Sequence, residues 1–160
     1  MAELLNVKEI VDFAVYIEKN GYEFYTDTAK KFDNEKMMEL FHYLAEEELK
    51  HEKKFKQLKE ELGTFSPHES YEGEYNIYMK DFLKSHTLGD NKVVKEKIAD
   101  VETIDDAIKL ALEFEKDSVV FFASLKKFIG AKNVDTVEKI VQEEVSHITM
   151  LYRLSKEIKS

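Results

Sequence analysis

Glutamate and histidine stand three residues apart at two places in the chain, Glu48-Leu49-Lys50-His51 and Glu144-Val145-Ser146-His147. Each pair has a lone glutamate upstream, Glu18 for the first and Glu115 for the second. Residues i and i+3 share one face of a helix, so a single turn can aim a carboxylate and an imidazole at one point. Four glutamates and two histidines in this order match the donor set of a carboxylate-bridged two-metal centre inside a four-helix bundle. A single Glu-x-x-His is weak evidence in a charged helix. Two, in matching positions of the two halves, are strong.

The elements that must position these six residues follow from the apolar period. Helices are predicted over residues 7–31, 34–62, 103–130 and 134–158. Asn6 with Glu9 and Thr103 with Asp106 have capping-box spacing, and Gly63 and Gly130 are stop signals. Short links make the first two helices one antiparallel hairpin and the last two another. Between the hairpins, residues 63–102 read as a long crossover. It holds the only proline, Pro67, and Tyr71, Tyr75 and Tyr78, with a short helix expected over residues 74–85 and a break at 86–90.

The inward seam of the second helix reads Met37, Phe41, Leu44, Glu48, His51, Phe55, Leu58, in steps of four and three. In all four helices an apolar stripe is interrupted near its middle by a glutamate: Glu18, Glu48, Glu115 or Glu144. A carboxylate buried alone costs several kcal/mol or takes up a proton. Four at one level of a bundle call for cations, and two divalent ions balance them. The neighbouring Glu23, Glu46, Glu47, Glu52, Glu113 and Glu143 fall off the stripe and are expected to face solvent, as are His42, His68 and His86.

Composition closes off other chemistries. The 160 residues suit one domain, spanning 1–160, and five glycines with one proline favour long helices. A net charge of −9 without a basic patch argues against a nucleic-acid partner. With no cysteine, thiolate nucleophiles, disulfides and thiolate-bound iron are excluded from these residues. Neither a secretory leader nor a membrane-length apolar run is visible, so a cytoplasmic protein without a membrane partner is expected.

The two halves also repeat. The stretch Ile17-Glu18-Lys19-Asn20-Gly21-Tyr22-Glu23-Phe24-Tyr25 is echoed by Phe114-Glu115-Lys116-Asp117-Ser118-Val119-Val120-Phe121-Phe122, and Glu47-Glu48 through His51 by Glu143-Glu144 through His147. With these motifs the chain resembles the rubrerythrin branch of the ferritin-like superfamily, most specifically in Glu18 followed by Tyr25 and in the paired Glu-x-x-His. The resemblance implies an all-α, ferritin-like four-helix bundle with a di-iron centre. In it Glu48 and Glu144 bridge the irons, Glu18 and Glu115 are terminal carboxylates, and His51 and His147 are terminal nitrogen ligands. Tyr25 matches a tyrosine that hydrogen-bonds within the site, whereas its counterpart Phe122 cannot.

Two departures from that pattern matter. Ser118 stands where rubrerythrins carry an extra glutamate, and no rubredoxin domain is evident. The resemblance therefore implies a peroxide- or dioxygen-reducing enzyme that takes electrons from a separate donor such as a rubredoxin-like protein. A homodimer is expected. Iron is the expected metal, with zinc or manganese as alternatives, since these donors do not select among them. A ferroxidase or iron-handling role, and a redox-inert metal-stabilised bundle, are the competing expectations.

Overall fold

Five helices run through the described residues, 7–62, 81 and 85–159, of the computed structural model, with no strand among them. They are α1 (Val7–Ala29), α2 (Glu35–Glu61), α3 (Asn91–Asp100), α4 (Ile104–Leu125) and α5 (Ala131–Lys159). The expected helix at 74–85, and Pro67, Tyr71, Tyr75, Tyr78 and His68, lie outside the described residues or almost wholly so. The same holds for the Asn6 cap.

Local chemistry starts the helices where the sequence indicates. Asn34 Oδ1 accepts from Met37 N at 2.9 Å, and Thr103 and Asp106 exchange hydrogen bonds of 3.1 and 3.0 Å in a capping box. Each cap satisfies amide donors that the first turn would otherwise leave without partners. Helix α3 adds an element to the four helices predicted over the bundle; Asp90 caps it by accepting from Lys92 N at 2.9 Å. Lys31, just past α1, donates to Ile98 O and Val101 O at 2.6 and 2.7 Å, which places a cation at the carboxyl end of α3.

α1 packs along α2 and α4 along α5, and the brief links between them force each pair to be antiparallel. The two hairpins meet through α1 against α4 and α2 against α5, with α3 lying on α1. The apolar seams all point into this interface. Phe24, Phe41, Phe55, Phe114, Phe121 and Phe122 are completely enclosed, each worth roughly 1.5–3 kcal/mol of burial. Their rings pack edge-on or tilted, as in Phe24 against Phe114 at 4.5 Å and Phe55 against Phe122 at 4.8 Å.

The end of the crossover is latched onto the bundle by one residue from each half. Asn20 on α1, buried, donates to Leu88 O at 2.7 Å and accepts from Asn91 Nδ2 at 2.9 Å. Its counterpart in the repeat, Asp117 on α4, accepts from Thr87 N at 3.2 Å and from the Thr87 hydroxyl. This latch corrects one expectation: His86 is not a surface residue. It is buried, its ring edge-on to Phe121 at 6.1 Å, and its Nδ1 accepts from Leu88 N at 3.0 Å. Burial pulls its pKa down to about 4, against the opposing charges of Asp117 and Glu144.

Candidate metal centre

Each of the four bundle helices interrupts its apolar stripe at the same level, and the interruptions converge. Glu18, Glu48, His51 and Glu144 place one donor atom each within 4.8 Å of one another, and Glu48, Glu115, Glu144 and His147 do the same. Glu48 and Glu144 belong to both groups, so the two clusters overlap through two carboxylates. None of the six residues is more than 5% exposed. The structure thus brings together all six residues singled out from the sequence.

Glu144 lies at the centre. Its two oxygens face the two imidazoles, Oε1 at 3.0 Å from His51 Nδ1 and Oε2 at 2.9 Å from His147 Nδ1. His51 Nδ1 also lies 3.7 Å from Glu18 and 3.8 Å from Glu48, and His147 Nδ1 lies 3.6 Å from Glu115. The rings stack at 5.8 Å with 19° between their planes. Tyr25 donates its hydroxyl proton to Glu115 Oε1 at 2.5 Å, a contact from the first half of the chain to the second.

The electrostatics are those of carboxylates crowded without enough cations. Burial drives Glu18 and Glu115 well above the usual carboxylate range, reinforced by the charges of Glu48 and Glu144. Burial also raises the Tyr25 hydroxyl, with Glu115 adding to it. For Glu144 burial works upward too, but hydrogen bonds with His147 and His51 overcome it and hold the carboxyl well below its usual range. Both imidazoles are kept protonated against burial: His51 by Glu144, Glu18 and Glu48, and His147, pushed up to about 11, by Glu115 and Glu144. Crowded negative charge in a buried cluster raises the two carboxyls and the two imidazoles alike. Glu18 Oε1 is buried with no hydrogen-bond partner at all. A donor set of oxygens and imidazole nitrogens, short of cations and with an orphaned oxygen, fits two divalent metal ions.

Three neighbours depart from the expected solvent-facing reading. Glu143, its side chain 40% exposed, reaches across to His51 Nε2 at 2.8 Å, with Lys54 at 3.5 Å. Being adjacent to Glu144, it emerges on the flank of α5 that turns toward α2. With Nδ1 facing the cluster, a carboxylate on Nε2 fixes the ring's orientation and tautomer. Glu47 and Glu52 are buried rather than solvent-facing, because α2 is covered by α1 on one side and α5 on the other. Each takes a lysine from the next turn, Lys50 at 2.6 Å and Lys56 at 2.8 Å. Glu47, His51 and Glu143 also cluster, but these lysines and the shared His51 make that group an outer support of the centre. Glu23, Glu46, Glu113 and His42 are exposed.

Comparison with known proteins agrees with this geometry. The family model for rubrerythrin matches residues 9–155. A solved structure from Thermotoga maritima, described as that of a ferritin-like diiron-carboxylate protein, superposes with a TM-score of 0.66 at 21% identity, covering 98% of this chain and 99% of the other. That likeness establishes the fold. No curated protein matches. No helix among the described residues is long and apolar enough to cross a membrane.

Proposed function

Because the chain belongs to the rubrerythrin family, we propose that its buried cluster holds two iron ions and reduces hydrogen peroxide with electrons from a separate donor protein. The observation that supports this most is the overlap of two enclosed donor groups through Glu48 and Glu144. Glu18 and His51 would complete the shell of one ion, and Glu115 and His147 that of the other. Ferrous iron bound here would supply one electron per ion, matching the two electrons and two protons that convert hydrogen peroxide to two molecules of water. Iron is preferred on family grounds, since carboxylate and imidazole donors also accept zinc or manganese.

The protein's own contribution is placement and enclosure. Tyr25 fixes Glu115 and keeps a proton at its hydroxyl, beside the cluster. Glu143 holds His51, and the phenylalanine-rich shell keeps bulk water away. Ser118 offers no further carboxylate, so turnover is proposed to rely on the six donors alone. Without cysteine, these 160 residues contain no thiolate centre to relay electrons, and a rubredoxin-like partner is the proposed source.

Stopped-flow absorbance tests the proposal. Anaerobically iron-loaded protein is mixed with hydrogen peroxide and, separately, with dioxygen. Oxidation at least tenfold faster with peroxide is expected. Faster oxidation by dioxygen would replace the proposal with a ferroxidase, and no response to either would leave an inert metal site.

A further inference from the structure

Helix α1 carries a glycine in its interior, at a position where glycine weakens a helix relative to alanine. Gly21 makes no turn there and is buried. What its missing side chain leaves is occupied by Glu48. A Cβ on Gly21 would lie 3.3 Å from Glu48 Cδ, 3.4 Å from Cγ and 3.6 Å from Oε1. The Glu48 carboxylate therefore rests against the α1 backbone itself. At the equivalent place on α4 the repeat has Ser118, which does carry a side chain.

The two shared carboxylates differ accordingly. Glu144 is gripped by an imidazole on each oxygen, at 3.0 and 2.9 Å, whereas Glu48 approaches the His51 ring only to 3.8 Å. We propose that Gly21 is a positioning residue for the metal centre, reserving the volume that the Glu48 carboxylate occupies between α1 and the cluster. A side chain there displaces that carboxylate by a few tenths of an ångström and moves it off both donor groups to which it belongs. No other residue is asked to shift.

Gly21 acts in this way only if Glu48 is a metal ligand, as proposed above. The test uses Gly21→Ala, Gly21→Val, Glu48→Asp and the Gly21→Ala/Glu48→Asp double variant. Two readouts are taken: Co(II) affinity, followed by visible absorbance, and thermal unfolding of the metal-free protein. Gly21→Ala should unfold at or above the wild-type temperature yet bind Co(II) about tenfold more weakly, with Gly21→Val weaker again. On the Glu48→Asp background the alanine should cost less than about twofold, because the shorter side chain withdraws from the new Cβ.

Unchanged Co(II) affinity in the alanine variant, or an equal loss on the Glu48→Asp background, overturns the role of Gly21 alone. Should the valine variant not fold, the alanine variant and its cycle decide. Wild-type protein that binds no Co(II) overturns the metal-ligand assignment and the role of Gly21 together.

Discussion

Metal binding at the proposed centre should be steeply pH-dependent, because burial and crowded charge raise the pKa of groups that would have to ligate the ions. His51 and His147 are held above the ordinary imidazole range, His147 to about 11, and burial holds Glu18 and Glu115 above the ordinary carboxylate range. Any of the four that carries a proton in the empty bundle must lose it to serve as a ligand. Four such protons shared between two ions would be two per ion, so apparent affinity should rise by up to roughly 100-fold per pH unit, or ~2.7 kcal/mol. The same shifts act on the apo protein with the opposite sign. Groups whose folded pKa is raised favour folding below their unfolded values, and that contribution is lost as pH rises toward the folded ones. Metal-free stability should thus fall from neutral toward alkaline pH, as affinity climbs. Calorimetric titration with Co(II) in two buffers of different ionisation enthalpy, repeated between about pH 6 and pH 8, counts the released protons directly. Release of fewer than one proton per ion, with a flat affinity profile, would refute the reasoning: the histidines would then be neutral and Glu18 and Glu115 ionised in the empty bundle.

Three further outcomes follow from individual contacts. Glu143→Gln removes the carboxylate on His51 Nε2 and should weaken one of the two ions about tenfold in the same titration, leaving the other unchanged; equal weakening of both would show that Glu143 acts through overall charge. Tyr25→Phe strips the donor from buried Glu115 and should destabilise the metal-free protein by about 1–3 kcal/mol in urea unfolding while retaining both ions. Asn20→Ala leaves the Leu88 carbonyl without its buried donor and should cost ~1–3 kcal/mol. It should also speed amide exchange over residues 86–91, and unchanged exchange there would deny the latch.

The seams were legible because their chemistry is one-dimensional. A stripe of period three and four, broken once by a glutamate, identifies which side chains face inward without any knowledge of the neighbouring helix. The same holds for the Asn34 and Thr103 caps, whose partners lie within one turn. What escaped depends on contacts between distant segments. His86 is buried only because residues 86–91 dock between Asn20 and Asp117, and neither side chain announces that role in sequence. Glu143 sits off the α5 stripe, but the flank it occupies faces α2, so it reaches His51 instead of water. Glu47 and Glu52 are buried for a related reason. A helix covered on two sides buries a wider arc than its seam, and Lys50 and Lys56 make that burial tolerable. Helix α3 did leave a signal, the Asp90 cap, hidden in a segment read as a break.

The two halves repeat their candidate ligands but not the groups that support them, and this should make two bound ions inequivalent. In the repeat Glu143 corresponds to Glu47, yet Glu143 meets His51 at 2.8 Å while Glu47 is taken by Lys50 at 2.6 Å. Tyr25 steadies Glu115, whereas Phe122 offers Glu18 no hydroxyl, and Glu18 keeps an orphaned oxygen. An imidazole with a carboxylate on its outer nitrogen is the better oriented and more basic ligand. An oxygen with no hydrogen bond to surrender gains most from a cation. Both effects favour the Glu18–His51 half for the first ion. His147→Ala should therefore still bind one equivalent of Co(II) with near wild-type affinity, and His51→Ala should lose that tight first step. Equal losses in the two variants would mean that the shared carboxylates, Glu48 and Glu144, set affinity for both ions and that the outer contacts do not distinguish them.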